Sequence, residues 1–207
     1  MLDKNRKFIY IHIPKTGGSS IESFFGFNLW KKSTLQNTQL INSHLMGYCV
    51  RKKKFLQHLS IDEVAQHLYS KRDHFDQYFS FATIRNPWDR FLSSFFYECR
   101  SKTKDIANFR EFCKKPYFFN PDHQLPQYKF IVNKSEKIIV NCIIRFENLE
   151  NDFNKVCNII GIPRKKLPHI NKTKHPHYTE YYDRETRDII KKRYERDIDY
   201  FEYQFGQ

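Results

Sequence analysis

The run Phe8-Ile9-Tyr10-Ile11-His12-Ile13 constrains the fold of this chain more than any other segment. It is almost wholly apolar, and it stops at Pro14, shortly before the pair Gly17-Gly18. A continuous apolar run bounded by Pro and Gly reads as a strand buried on both faces that ends in a loop. Ser19-Ser20 then precede Ile21-Glu22-Ser23-Phe24-Phe25, where a helix is expected to begin. Strand, glycine-containing loop and helix therefore follow one another directly.

The alternation continues along the chain. Ser60 and Glu63 form a capping box ahead of a helix expected over 61–71. Residues 78–84 (Y-F-S-F-A-T-I) read as a second strand, halted by Arg85-Asn86-Pro87. Asn86 can cap and Pro87 suits the first helical position, so a helix is expected from Pro87 to about Arg100. A third strand is expected over 137–144, a helix over 150–160 closed by Gly161 and Pro163, and a last charged helix over 185–201. Residues 28–57 and 100–135 are the least patterned. Strands alternating with helices imply an α/β fold with a central parallel sheet flanked by helices, here as one domain over 1–207.

Composition narrows the function classes. The formal charge is +13, which attracts anionic partners without saying which. Five cysteines, an odd number with no C-x-x-C pair, fit reduced thiols in a reducing compartment. Asp3 to Lys7 lead straight into the first strand, with no signal-peptide pattern. No stretch approaches the roughly 20 apolar residues that span a bilayer. The expectation is a cytoplasmic protein without a transmembrane segment, a soluble fragment of a Golgi-type enzyme being the alternative.

Two segments carry chemistry. The first is the loop Pro14-Lys15-Thr16-Gly17-Gly18-Ser19-Ser20. A loop between a strand and a helix turns backbone N–H groups outward and suits an anion. Its lysine precedes the glycines, so it is not the Walker A order, and no acidic residue at a strand end is placed to hold Mg²⁺. The second segment runs from Arg85 to Tyr97 (R-N-P-W-D-R-F-L-S-S-F-F-Y), with Arg85 at a strand end, where open α/β sheets bind ligands. Asn86, Arg90, Ser93 and Tyr97 fall on one helical stripe. An arginine with a nearby hydroxyl suits a second phosphate.

Together these segments resemble the sulfotransferase superfamily, more closely the branch of carbohydrate and heparan-sulfate-type enzymes than the cytosolic steroid and phenol enzymes. Ile11 to Ser20 resembles the family's 5′-phosphosulfate loop and Arg85 to Tyr97 its 3′-phosphate motif. The stretches 144–149 (I-R-F-E-N-L) and 167–173 (L-P-H-I-N-K-T) are family-like as well. The resemblance implies a fold related to P-loop nucleotide kinases and 3′-phosphoadenosine 5′-phosphosulfate (PAPS) as donor, with no metal. Carried over by position, Lys15 and the backbone of Thr16, Gly17, Gly18, Ser19 and Ser20 would hold the 5′-phosphosulfate. Arg85 and Ser93 would hold the 3′-phosphate, and Lys172 and Thr173 would belong to a late loop over the nucleotide.

Sulfuryl transfer to a hydroxyl builds negative charge on the leaving oxygen, which a fixed Lys15 stabilises, and requires a base for the acceptor proton. Among nine histidines, His58 resembles the family's catalytic base in placement, His44 is its competitor, and His12 is expected to be packed in the first strand. The implied acceptor is a hydroxyl, of a glycan by the branch resembled, and nucleic acid is not an expected partner. A nucleoside-phosphate kinase with a degenerate loop and a nonenzymatic polyanion-binding module are the competing classes.

Overall fold

The apolar run near the N-terminus pairs on both of its edges. In chain order the computed structural model contains β1 (Leu2–Asp3), β2 (Phe8–Ile11), α1 (Gly18–Phe24), β3 (Tyr48–Cys49), β4 (Lys54–Phe55), α2 (Ile61–Ser70) and β5 (Phe79–Ile84). There follow α3 (Pro87–Glu98), α4 (Ile106–Lys114), β6 (Cys142–Arg145), α5 (Leu149–Ile159), α6 (Arg184–Arg193) and α7 (Glu195–Phe201). The structure describes residues 1–27, 44–49, 54–99, 105–116, 118, 121–170 and 175–207. Two compact units can be distinguished: residues 1–84 with 129–170, and residues 85–128 with 171–207.

The first unit holds a four-stranded sheet in the order β1-β2-β5-β6. β2 pairs parallel with β5 and β5 parallel with β6, while β1 adds an antiparallel edge. The fold is thus α/β with a mostly parallel sheet. Register places Tyr10 beside Phe81 and Thr83 beside Ile144, so these side chains share a face with Phe8. α1 and α5 cover that face through Ile21, Phe153 and Val156. The Tyr10 hydroxyl lies 3.2 Å from Thr83 Oγ1, and burial raises its pKa above the ordinary tyrosine value. α2 begins where the sequence places it: the Ser60 side chain accepts from Glu63 N–H and Glu63 accepts from Ser60 N–H.

The second unit is helical. α3 packs with α4 and α6. Phe91, Phe95, Phe109, Phe112 and Tyr194 build its core. Asn86 caps α3 by accepting from Trp88 N–H, with Pro87 in the first turn as expected.

Three boundaries differ from the sequence reading. The strand expected over 137–144 begins only at Cys142, because Ile138 forms an antiparallel bridge with Val132 around a turn at Glu136. The last helix breaks at Tyr194, whose buried ring joins the core and whose hydroxyl donates to Gln124 O. The stretch 100–135, read as unpatterned, contains α4, capped by Asp105.

Phe153 is fully buried, and its ring meets Phe24, Phe25 and Phe81 at centroid distances of 5.0, 5.9 and 6.3 Å. Phe153→Ala is expected to cost about 3–5 kcal/mol, measured as a lowered urea midpoint with unchanged slope.

Candidate active site

The loop after β2 is shaped by two left-handed residues. Lys15 has φ 68° and Gly17 φ 85°. Only glycine takes that conformation freely, and a Cβ on Gly17 would also sit 3.0 Å from the Phe146 ring. Thr16 is fully buried and donates its hydroxyl to Ile13 O at 2.8 Å, closing the turn. Ser20 N–H donates back to Gly17 O at 3.0 Å, and Ser20 Oγ accepts from Ile170 N–H. Lys15 and Ser19 are partly buried. Left-handed residues alternating with ordinary ones turn successive N–H groups to one side, the geometry of an anion nest.

Gly18 is required for a different reason. A Cβ there would run into the imidazole of His12. That ring is buried, with Nδ1 2.6 Å from Glu22 Oε1, and Glu22 itself is fully buried. Glu22 Oε2 has no hydrogen-bond partner among the described residues. The expectation that His12 is packed holds, but its carboxylate partner ten residues away has no signature in the sequence.

His58 is buried at 5% exposure. Its Nδ1 donates to the His12 carbonyl at 2.9 Å, and the two rings meet edge to face at 4.8 Å. A carbonyl only accepts, so Nδ1 carries the proton, and in the neutral ring Nε2 holds the lone pair. His44 donates Nδ1–H to Leu2 O at 2.9 Å and packs on Phe27. The structure thus links His58 to the loop through His12, whereas the contacts of His44 run to β1 and Phe27.

Arg85 and Ser93 belong to the second unit. Arg85 Nε donates to Asp89 Oδ2 at 2.8 Å, one helical turn on. Its backbone is clamped by Gln127, whose Oε1 accepts from Arg85 N–H at 2.9 Å and whose Nε2 donates to Arg85 O at 2.8 Å. Gln127 is held in turn by Asp197, which accepts from the N–H groups of Gln127 and Tyr128. Burial raises the pKa of Asp197 above the usual carboxylate value. Ser93 is partly exposed on α3. The stripe read from Asn86, Arg90, Ser93 and Tyr97 divides, Tyr97 being exposed and Ser93 partly so. Asn86 and Arg90 are buried, and the Arg90 guanidinium donates to Leu125 O and His123 O. Burial lowers the pKa of Arg90, with Tyr194 and Asp197 opposing that shift. Lys172 and Thr173 lie outside the described residues. Among the described residues no cluster of three or more His, Cys, Asp or Glu is arranged to hold a metal ion, and no helix is long and apolar enough to cross a membrane.

A mostly parallel sheet whose strand β2 runs into a nest-shaped loop and then a helix defines an α/β protein. The particular family follows from the comparison with known proteins: the sulfotransferase family matches residues 1–204, and the chain belongs to it. An uncharacterized protein of Archaeoglobus fulgidus is 36% identical over 97 residues, which are 47% of this chain and 79% of that protein. The crystal structure of a sulfotransferase from Alicyclobacillus acidocaldarius aligns with 95% of this chain and 87% of its own, at 15% identity and a TM-score of 0.41.

Gln127→Leu roughly keeps the volume at 127 but removes the side chain that pairs the part-buried N–H and C=O of Arg85. At about 1–3 kcal/mol for each orphaned group, and toward the low end because both are only part-buried, the variant should lose about 2–3 kcal/mol in chemical denaturation.

Proposed function

We propose that this chain is a PAPS-dependent sulfotransferase that moves a sulfuryl group to a hydroxyl acceptor. The observation that carries the reading is the loop after β2. Lys15 and Gly17 are left-handed there, a backbone that turns successive N–H groups to one side as an anion requires. Lys15 and the N–H groups of residues 16–20 would bind the 5′-phosphosulfate. Arg85 and Ser93 would bind the 3′-phosphate, and Lys172 and Thr173 would belong to a late loop over the nucleotide. The family's motif supports these assignments, and Arg85 is the residue that follows β5, whose carboxyl end lies on the same sheet edge as that of β2.

In this mechanism the acceptor oxygen attacks sulfur in line as the bond to the bridging phosphate oxygen breaks. Lys15 stabilises the negative charge that gathers on that oxygen. His58 takes the acceptor's proton on Nε2, its Nδ1–H being already committed to the His12 carbonyl. His44 makes an equivalent bond to Leu2 O, so what favours His58 is that its partner, His12, leads into the loop after β2. A carbohydrate hydroxyl is the proposed acceptor, on the strength of the branch the motifs resemble. The five cysteines form no disulfide, which supports a cytoplasmic place of action. The two units interleave along the chain, which supports their working as one domain.

Calorimetry with adenosine 3′,5′-bisphosphate and with AMP tests the donor assignment. The bisphosphate should bind at least about tenfold tighter, as expected when a charge-assisted contact to a second phosphate is gained. Equal affinities would remove Arg85 and Ser93 from the site. Lys15→Ala and His58→Ala should each lose sulfuryl transfer measured with labelled PAPS, and His58→Ala should still bind the bisphosphate. Full turnover in His58→Ala would move the base to another residue, with His44 next in line.

A further inference from the structure

We propose, building on the sulfotransferase reading above, that His12 is a positioning residue that ties the base to the donor loop. Three contacts of this one residue meet. Its Nδ1 is 2.6 Å from Glu22 Oε1. The opposite edge of its ring, Cδ2 and Nε2, fills the space that a Cβ on Gly18 would need. Its carbonyl accepts from His58 Nδ1–H at 2.9 Å, and its ring meets the His58 ring at 4.8 Å and 68°.

Gly18 and Glu22 are one turn apart on α1, so the imidazole braces that face of the helix against the end of β2. The brace has work to do because neither supported element is rigid by itself. α1 has seven residues, too few to hold its shape without tertiary contacts, and His58 sits in a three-residue turn, Leu56–His58. The direction in which the loop points its N–H groups and the nitrogen that His58 offers therefore depend on the same side chain and the same peptide. Glu22 fixes the ring, the ring fixes Gly18 and the plane of His58, and the carbonyl fixes the tautomer of His58. His12 takes part in no bond making and needs no contact with the substrate.

His12→Asn separates this role from a plain contribution to stability. The asparagine amide can stand in for Nδ1 and keep Glu22 partnered, while the ring edge against Gly18 and His58 is gone. Its melting temperature should stay near that of the wild type. The KM for PAPS should rise and kcat should fall, each by roughly tenfold, as expected for a site loosened by a fraction of an ångström. Long-range ¹⁵N–¹H correlation spectra need no donor. They should show His58 as the single Nδ1–H tautomer in both proteins, since residue 12 keeps its carbonyl, with the His58 ring resonances displaced in His12→Asn, where the facing imidazole is gone.

Gly18→Ala should lose at least about tenfold in affinity for adenosine 3′,5′-bisphosphate, and His12→Ala/Gly18→Ala should recover part of it, since the added methyl then has room. The double variant leaves Glu22 without its partner. Its folding is checked by circular dichroism, and His12→Asn decides the matter where it does not fold. Unchanged kcat and KM in His12→Asn would overturn the proposal, as would a folded double variant no better than Gly18→Ala. A wild-type protein that fails to bind the bisphosphate overturns the sulfotransferase reading as well. One that binds it while the variants match it overturns the role of His12 alone.

Discussion

The parallel pairing of β2 with β5 is the contact on which the rest of the first unit depends. Side chains alternate along a strand, so the register that buries Phe8 and Tyr10 beside Phe81 also turns His12 toward the face covered by α1. The Tyr10 and His12 rings accordingly stack at 6.0 Å. A slip of one residue would move the imidazole to the opposite face and leave Glu22 buried without a partner. Core packing and site geometry are here set by one choice of register. The aromatic content of the chain serves that choice, because Phe24, Phe25 and Phe153 form the wall against which the sheet is fixed.

What could be read from the sequence was what short-range chemistry dictates. The capping box at Ser60 and Glu63, the cap at Asn86 with Pro87 behind it, and the first two long strands all rest on residues a few positions apart. The turn after β2 was legible for the same reason, since proline, lysine and glycine in close order leave few conformations. The elements misread are those that a distant partner decides. Ile138 looks like strand, yet it is taken by the bridge to Val132, so β6 begins only at Cys142. The charged pattern over 185–201 is helical throughout, but the core claims the Tyr194 ring and breaks the helix there.

The site divides along the same line. Lys15 and the glycines announce themselves, whereas Gln127 and Asp197 do not. Their value lies in bonds that reach 42 residues back to Arg85 and 70 residues between each other. Arg90 shows the limit of spacing, because the helical stripe it shares with Asn86, Ser93 and Tyr97 does not lie in one environment. Its guanidinium is buried and holds the carbonyls of Leu125 and His123, so it organises the segment that contains Gln127. Periodicity reports which residues share a face of a helix, and only the surrounding fold determines whether that face meets water.

The interleaving of the two units along the chain has a consequence for synthesis. Residues 1–84 supply β1, β2 and β5, but β6 and α5 come from residues 142–159. A chain emerging from the ribosome therefore carries an unpaired β5 edge and a face of Phe8, Tyr10 and Phe81 that α1 alone covers until some 75 further residues have followed. Such a nascent segment presents both hazards of incomplete sheets, an open hydrogen-bonding edge and bare aromatic surface. The second unit, beginning at Arg85 and ending with α7, is completed later still. Folding of this protein is consequently a late event that draws on the whole chain, and its N-terminal half is the part most in need of shelter on the way.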